Sequence, residues 1–145
     1  MLAEELNELV KQRRVLLHGS RVDIKESFLR SNGGVLFATD SGRVAILKAI
    51  VSNQGLVYPG INFMWNEIDN PDFRVRVYGA HSDTIGRRGF VYVVPPILRF
   101  EQRRGTREFL NNYNAIVQYS QKIPVSRSDI DFSIVDGDSG KSLLS

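Results

Sequence analysis

Two histidines and no cysteine restrict the chemistry this 145-residue chain can carry. His18 closes an apolar run, Val15-Leu16-Leu17, and is followed directly by Gly19 and Ser20. A histidine at the end of a buried strand is held rigidly and can offer a ring nitrogen to a hydroxyl such as that of a ribose. A glycine beside it lets a ligand approach the backbone, where an N–H and a C=O can grip a carboxamide. A dinucleotide carrying nicotinamide has both groups. The plainer reading of the same triplet is a turn with a hydrogen-bonded imidazole.

Other chemistries lack their patterns. No H-E-x-x-H or clustered Asp/His spacing is present, so no metal site is expected. No G-x-S-x-G supports a serine hydrolase, although Ser20 and His81 are available. Neither G-x-G-x-x-G nor G-x-x-x-x-G-K-[ST] occurs, which removes the ordinary dinucleotide and P-loop readings. The absence of cysteine excludes disulfides and thiolate metal sites, and a reducing, cytoplasmic setting is expected. Glu4, Glu5 and Glu8 do not fit a secretory signal, and no apolar run is long enough for a membrane helix, so no membrane partner is expected.

The net charge is +3, unevenly spread. Arg87, Arg88, Arg99, Arg103, Arg104 and Arg107 fall in one stretch with only Glu101 and Glu108 to relieve them. Guanidinium groups pair with phosphate oxygens, so Arg87, Arg88, Arg103, Arg104 and Arg107, with the basic strand face of Arg74 and Arg76, are candidates for nucleic-acid contact, and Tyr78 and Tyr92 are stacking neighbours. A solvated loop is the alternative.

The elements that must position these residues follow from periodicity. Leu2, Leu6, Leu9 and Val10 predict a helix over 2–12. Residues 15–17 predict a strand that ends at His18-Gly19-Ser20, and residues 21–33 read as irregular, closing in Ser31-Asn32-Gly33-Gly34. A strand over 35–39 precedes a helix capped by Asp40 or Ser41 and continuing to about Asn53. Ile61, Phe63 and Trp65 alternate, as do Phe73, Val75 and Val77, and Asp69-Asn70-Pro71-Asp72 between them predicts a hairpin turn. Residues 90–94 read as a central strand ended by Pro95-Pro96, and further strands are expected over 115–119, 123–125 and 130–134. One domain over 1–135 of class α+β, with a frayed tail over 136–145, is the expected organisation.

Val15-Leu16-Leu17-His18-Gly19-Ser20, then Gly34-Val35-Leu36-Phe37-Ala38-Thr39-Asp40 and the helix through Ala45 and Ala49, resembles the first half of the ADP-ribosyltransferase fold in its histidine-type branch. Gly89-Phe90-Val91-Tyr92-Val93-Val94-Pro95 followed by Phe100-Glu101 is similar to the strand-Pro-loop of small members such as the rifampicin-modifying transferases. The resemblance also takes in residues 118–125 and spans most of residues 14–135. It implies split antiparallel sheets with short N-terminal helices, and NAD as co-substrate. His18 would contact the nicotinamide-side ribose, Gly19 would hold the carboxamide, and Ser20 would sit beside them. Where the family has a tyrosine stacking on nicotinamide, this chain has Leu36-Phe37, so either Phe37 supplies the ring or another residue does. The acid that steadies the developing positive charge falls at Gln118 by strand order, or near Glu101 by likeness to the antibiotic-modifying members. The implied activity is mono-ADP-ribosyl transfer to a protein, nucleic-acid or small-molecule acceptor. The alternatives are a catalytically degenerate module that binds NAD or ADP-ribose, and a basic nucleic-acid-binding protein.

Overall fold

In the computed structural model, which describes residues 1–30, 35–96, 100–111 and 116–144, the apolar stripe of the first segment forms helix α1 (Leu2–Arg13). Glu4 and Glu5 in its first turn and Lys11 and Arg13 in its last complement the helix dipole. Arg14 ends it in the left-handed region, at φ 54°. The predicted turn at 31–34, Arg99 and Ala115 lie outside the described residues.

Three elements follow: β1 (Leu16–Ser20), β2 (Phe28–Arg30) and β3 (Leu36–Thr39). β1 does not stop before the His-Gly-Ser triplet. It runs through it, because β6 (Arg88–Val94) lies alongside and pairs His18 with Tyr92, Gly19 with Val91 and Ser20 with Phe90. Local sequence marks Gly19 as a breaker, and the neighbouring strand overrides it.

The helix after β3 is α2 (Gly42–Ile50), and Ser41 caps it by accepting from the Val44 amide at 3.3 Å. Seven of its nine residues are buried, so its sides face protein almost all round. One side packs on β1 and β6. The other meets a small sheet of β4 (Ile61–Asn62), β5 (Arg74–Val77) and β11 (Ser133–Asp136). Phe73, Val75, Val77 and Ile134 from that sheet join Val44, Ile46, Leu47 and Ile50 in one core. The alternation over 61–65 yields only the two residues of β4, since Trp65–Glu67 turns into a 3-10 helix. β4 and β5 are antiparallel, as the turn signal between them predicted.

The large sheet has the order β10-β6-β1-β3-β8-β7, completed by β7 (Phe100–Gln102), β8 (Glu108–Asn111) and β10 (Gln121–Ser126). β6 is interior, as expected, and Pro124 is accommodated on the edge strand β10. Arg103, Arg104 and Arg107 lie in a loop, as one of the two expectations had it, and that loop joins the strands of a hairpin, β7–β8. Its strands are short and carry no clear alternation, so periodicity does not reveal them. The same is true of β2, which pairs with β9 (Ile116–Gln118) as a two-stranded ribbon. Leu29 and Val117 of that ribbon pack on Leu16, Leu36, Tyr92 and Val94, the residues of the large sheet turned away from α2. Residues 136–144 fold back rather than fray. The Asp136 amide donates to Lys141 O, the Leu143 amide donates to Ile134 O, and Leu143 and Leu144 reach the core. The fold is therefore α+β.

Candidate functional site

β1 and β3 share a single backbone register pair, Leu17 with Thr39, whereas β1 and β6 share five. Past that pair the two strands part, and α2 roofs the gap. His18, Gly19 and Phe37 line the resulting cavity of about 300 Å³, together with Thr39, Lys48, Asn53 and Glu108.

Gly19 owes its place to helix packing. A Cβ built there would stand 2.1 Å from Ala45 O, and one at Gly89 would stand 1.9 Å from Ala49 O. Two glycines on adjacent strands let α2 lie against the sheet, which brings Lys48 over β1 and forms the cavity wall. The sequence reading of Gly19 as an opening for a ligand is thus met, on its α-carbon side, by a helix.

His18 Nδ1 lies 2.7 Å from Phe37 O. A carbonyl only accepts, so Nδ1 carries the proton and Nε2 is left as an acceptor. Burial pushes the imidazole below its ordinary value of 6.5, with the Phe37 bond acting against it. The ring is consequently neutral at pH 7. Phe37 is 47% exposed, an uncommon state for a phenylalanine on an interior strand, and belongs to the cavity wall.

Ser20 sits at the next step along β1, where its Oγ accepts from the Val22 amide. It lines a second cavity of about 580 Å³ with His18, Gly19, Arg21, Lys48 and His81. The chain beyond Ser20 is fastened: Tyr92 donates its hydroxyl to Val22 O at 2.8 Å and accepts from the Ile24 amide at 2.7 Å, and Lys122 pairs with Asp23.

The two candidate positions for the acid lie elsewhere. Glu101 is exposed on β7 opposite Leu110, and Gln118 is exposed on β9 opposite Phe28 in the ribbon. Neither lines the cavity at His18. The carboxylate that does is Glu108, buried on β8 opposite Thr39. Arg103 Nη1 donates to its Oε1 at 2.5 Å, and Thr106 Oγ1 accepts from its amide. The hairpin tip is fixed in turn by Arg107, whose guanidinium bridges Asp40 at 2.9 Å and Asp69 at 2.8 Å. In the sequence Glu108 counts only as relief for the arginines. Its pairing with Thr39 depends on a hairpin register that no local pattern reports. Lys48 left one signal, a lone charge in the apolar run Val44-Ala45-Ile46-Leu47-Lys48-Ala49-Ile50-Val51.

The arginine cluster is divided by the fold. Arg103 and Arg107 are held in ion pairs near the β7–β8 tip. Arg87 and Arg88 are exposed at the start of β6, four strands away in the sheet order, or roughly 19 Å. Among the described residues, no three His, Asp or Glu side chains gather as metal ligands, and no helix is long and apolar enough to cross a membrane.

A third cavity, about 560 Å³, adjoins the first through Lys48, Asn53 and Glu108 and is walled by Leu56, Tyr58, Phe63, Trp65 and Arg103. The three together make one groove along α2. Compared with protein-family models, with curated proteins and with solved structures, the chain matches none.

Proposed function

We propose that this chain is an ADP-ribosyltransferase-like domain that binds NAD in the groove and transfers ADP-ribose from it. One observation carries the reading. A neutral His18 with a free Nε2 acceptor, an exposed Phe37 ring and a buried Glu108 carboxylate line a single cavity where β1 and β3 part. The resemblance of residues 15–20 and 35–40 to the histidine-type branch of that family supports it, and so does the parting of the central strands.

In this reading His18 Nε2 accepts from a hydroxyl of the nicotinamide-side ribose, and the Phe37 ring covers the nicotinamide. The glycosidic C–N bond breaks and its electron pair leaves with nicotinamide, which departs neutral. Positive charge then builds on the ribose, and Glu108 is the carboxylate in place to steady it. The acceptor's lone pair bonds to the anomeric carbon, and its proton passes to solvent. Glu108 takes the role that the sequence left open between Glu101 and Gln118.

One feature favours a second reading, a module that binds NAD or ADP-ribose without turnover: the Glu108 carboxylate is already engaged by Arg103, which offsets the charge a transition state would need. Labelled NAD incubated with the protein and a cell extract separates the two. Transfer of label or release of nicotinamide, lost in His18→Ala, supports the enzyme. Calorimetric binding with no release supports the module. Activity in His18→Ala equal to that of the unaltered protein, or no binding of NAD at millimolar concentration, removes both.

A further inference from the structure

We propose that Lys48 is the anion anchor of the groove, holding the diphosphate of a dinucleotide where the three cavities meet; this rests on the NAD reading and adds to it a residue and a ligand group. Lys48 lines all three cavities, and among the described residues it is the only one common to them. A ligand that runs from the His18 cavity into either neighbour stays in contact with a wall that includes Lys48.

The side chain is well placed to do this. It projects from α2, the most buried element of the fold, and its Cβ would be 2.9 Å from a Cβ at Gly19, so the root of its stem is held against β1. Several other cations of the fold are held in ion pairs. Arg43 pairs with Asp131, Arg103 with Glu108, Arg107 with Asp40 and Asp69, and Lys122 with Asp23. Lys48 takes part in none of the ion pairs among the described residues. Lys48 is half-buried and lines all three cavities, so its charge is available to an anion in the groove.

The anion is a bridging one because of where the lysine stands. A phosphate at the end of a ligand would need a charge at the end of the groove, whereas Lys48 lies at the junction. A diphosphate joining two nucleoside halves leaves each half in its own cavity. Arg21, on the wall of the cavity at Ser20, supplies a second cation within the same groove; one of its nitrogens donates to Asp83 O at 2.7 Å. Glu108 lines two of the three cavities, and Arg103, its ion-pair partner, lines one of them.

The test is calorimetry on the full chain with NAD, ADP, inorganic pyrophosphate and nicotinamide riboside as separate ligands. Lys48→Met keeps the apolar stem over Gly19 and removes the charge. It should weaken NAD and ADP roughly ten-fold or more and leave nicotinamide riboside unchanged, while Lys48→Arg keeps most of the affinity. Binding of NAD and ADP by the unaltered protein should also weaken as salt rises, a measurement that does not depend on any variant folding. If Lys48→Met binds NAD as the unaltered protein does, the anchor is overturned and the NAD reading stands. If ADP or pyrophosphate binds through Lys48 but NAD does not bind, the anchor stands and the NAD reading falls. Binding of neither NAD nor ADP at millimolar concentration overturns both.

Discussion

His18 donates its Nδ1 proton to the carbonyl of Phe37 across 2.7 Å, tying β1 to β3 where the two strands share only the Leu17–Thr39 pair. Both residues line the cavity. The bond fixes the imidazole tautomer and couples the placement of His18 to that of Phe37, the two residues on which the nicotinamide side of the proposed site depends.

The half-buried His18 gives the protein a pH dependence of known sign. Its pKa is lowered in the folded state, so below 6.5 the unfolded chain takes up a proton that the folded chain does not, and stability falls as pH drops through that value. Urea midpoints measured from pH 8 to pH 5 should decline on the acid side, and His18→Gln should flatten that decline. Asp23, held low by Lys122 and then Lys25, and Asp136, held low by the amides of Ser139 and Asp138, act only below 3.8, outside this window. An unchanged slope in His18→Gln would mean that the imidazole is not titrating as its burial requires.

Three substitutions distinguish the candidate acids. Glu108→Gln should reduce nicotinamide release on the order of 100-fold, the usual effect of removing one well-placed electrostatic contact. Glu101→Gln and Gln118→Ala, on strands away from the cavity, should change it little. Glutamine keeps an oxygen that can accept from Arg103, and a denaturant midpoint measured on Glu108→Gln separates a catalytic defect from unfolding. A large loss at Glu101 with none at Glu108 would reverse the assignment.

Gly19→Ala and Gly89→Ala should each destabilise the fold on the order of 3 kcal/mol, because the new methyl group meets the backbone of α2 and not a movable side chain. Gly105 is the control. At φ +75° with nothing within 4 Å, its alanine variant carries only backbone strain of about 1 kcal/mol. Denaturant curves for the three variants rank the effects, and equal losses at all three would show that α2 can yield.

Arg43 joins the start of α2 to the small sheet, with Nε 3.1 Å from Asp131 and Nη1 2.7 Å from both Ile68 O and Asn70 O. Both side chains of the ion pair are largely buried. Arg43→Ala takes the side-chain donor from Asp131 and Ile68 O, and one of two donors from Asn70 O, which keeps the Phe73 amide, and should cost about 3 kcal/mol. Arg43→Lys should recover little of it, since an ammonium cannot present the same fork. Thermal melts of the two variants test this.

Some of this was legible in the residues alone. The period of Leu2, Leu6 and Leu9 marks α1, the cap at Ser41 marks the start of α2, and the run from Phe90 to Val94 marks an interior strand. Each of these signals is local, arising from side chains a few positions apart on one element. The hairpin β7–β8 and the ribbon β2–β9 left no such signal, because strands of three or four residues with one or two buried positions do not repeat long enough to read.

By itself the sequence determined that the chemistry must be built without thiols, from two histidines and scattered carboxylates, and that His18-Gly19-Ser20 adjoins a buried apolar run. Tertiary structure decided everything about how that triplet is completed. β6 carries the strand through it, α2 occupies the space above Gly19, Phe37 O selects the His18 tautomer, and the register of β8 against β3 brings in Glu108 rather than Glu101 or Gln118. All four depend on pairing and packing between residues 19 to 75 positions apart. Those contacts follow from which strands share a sheet and in what register, and no local pattern of residue types encodes that.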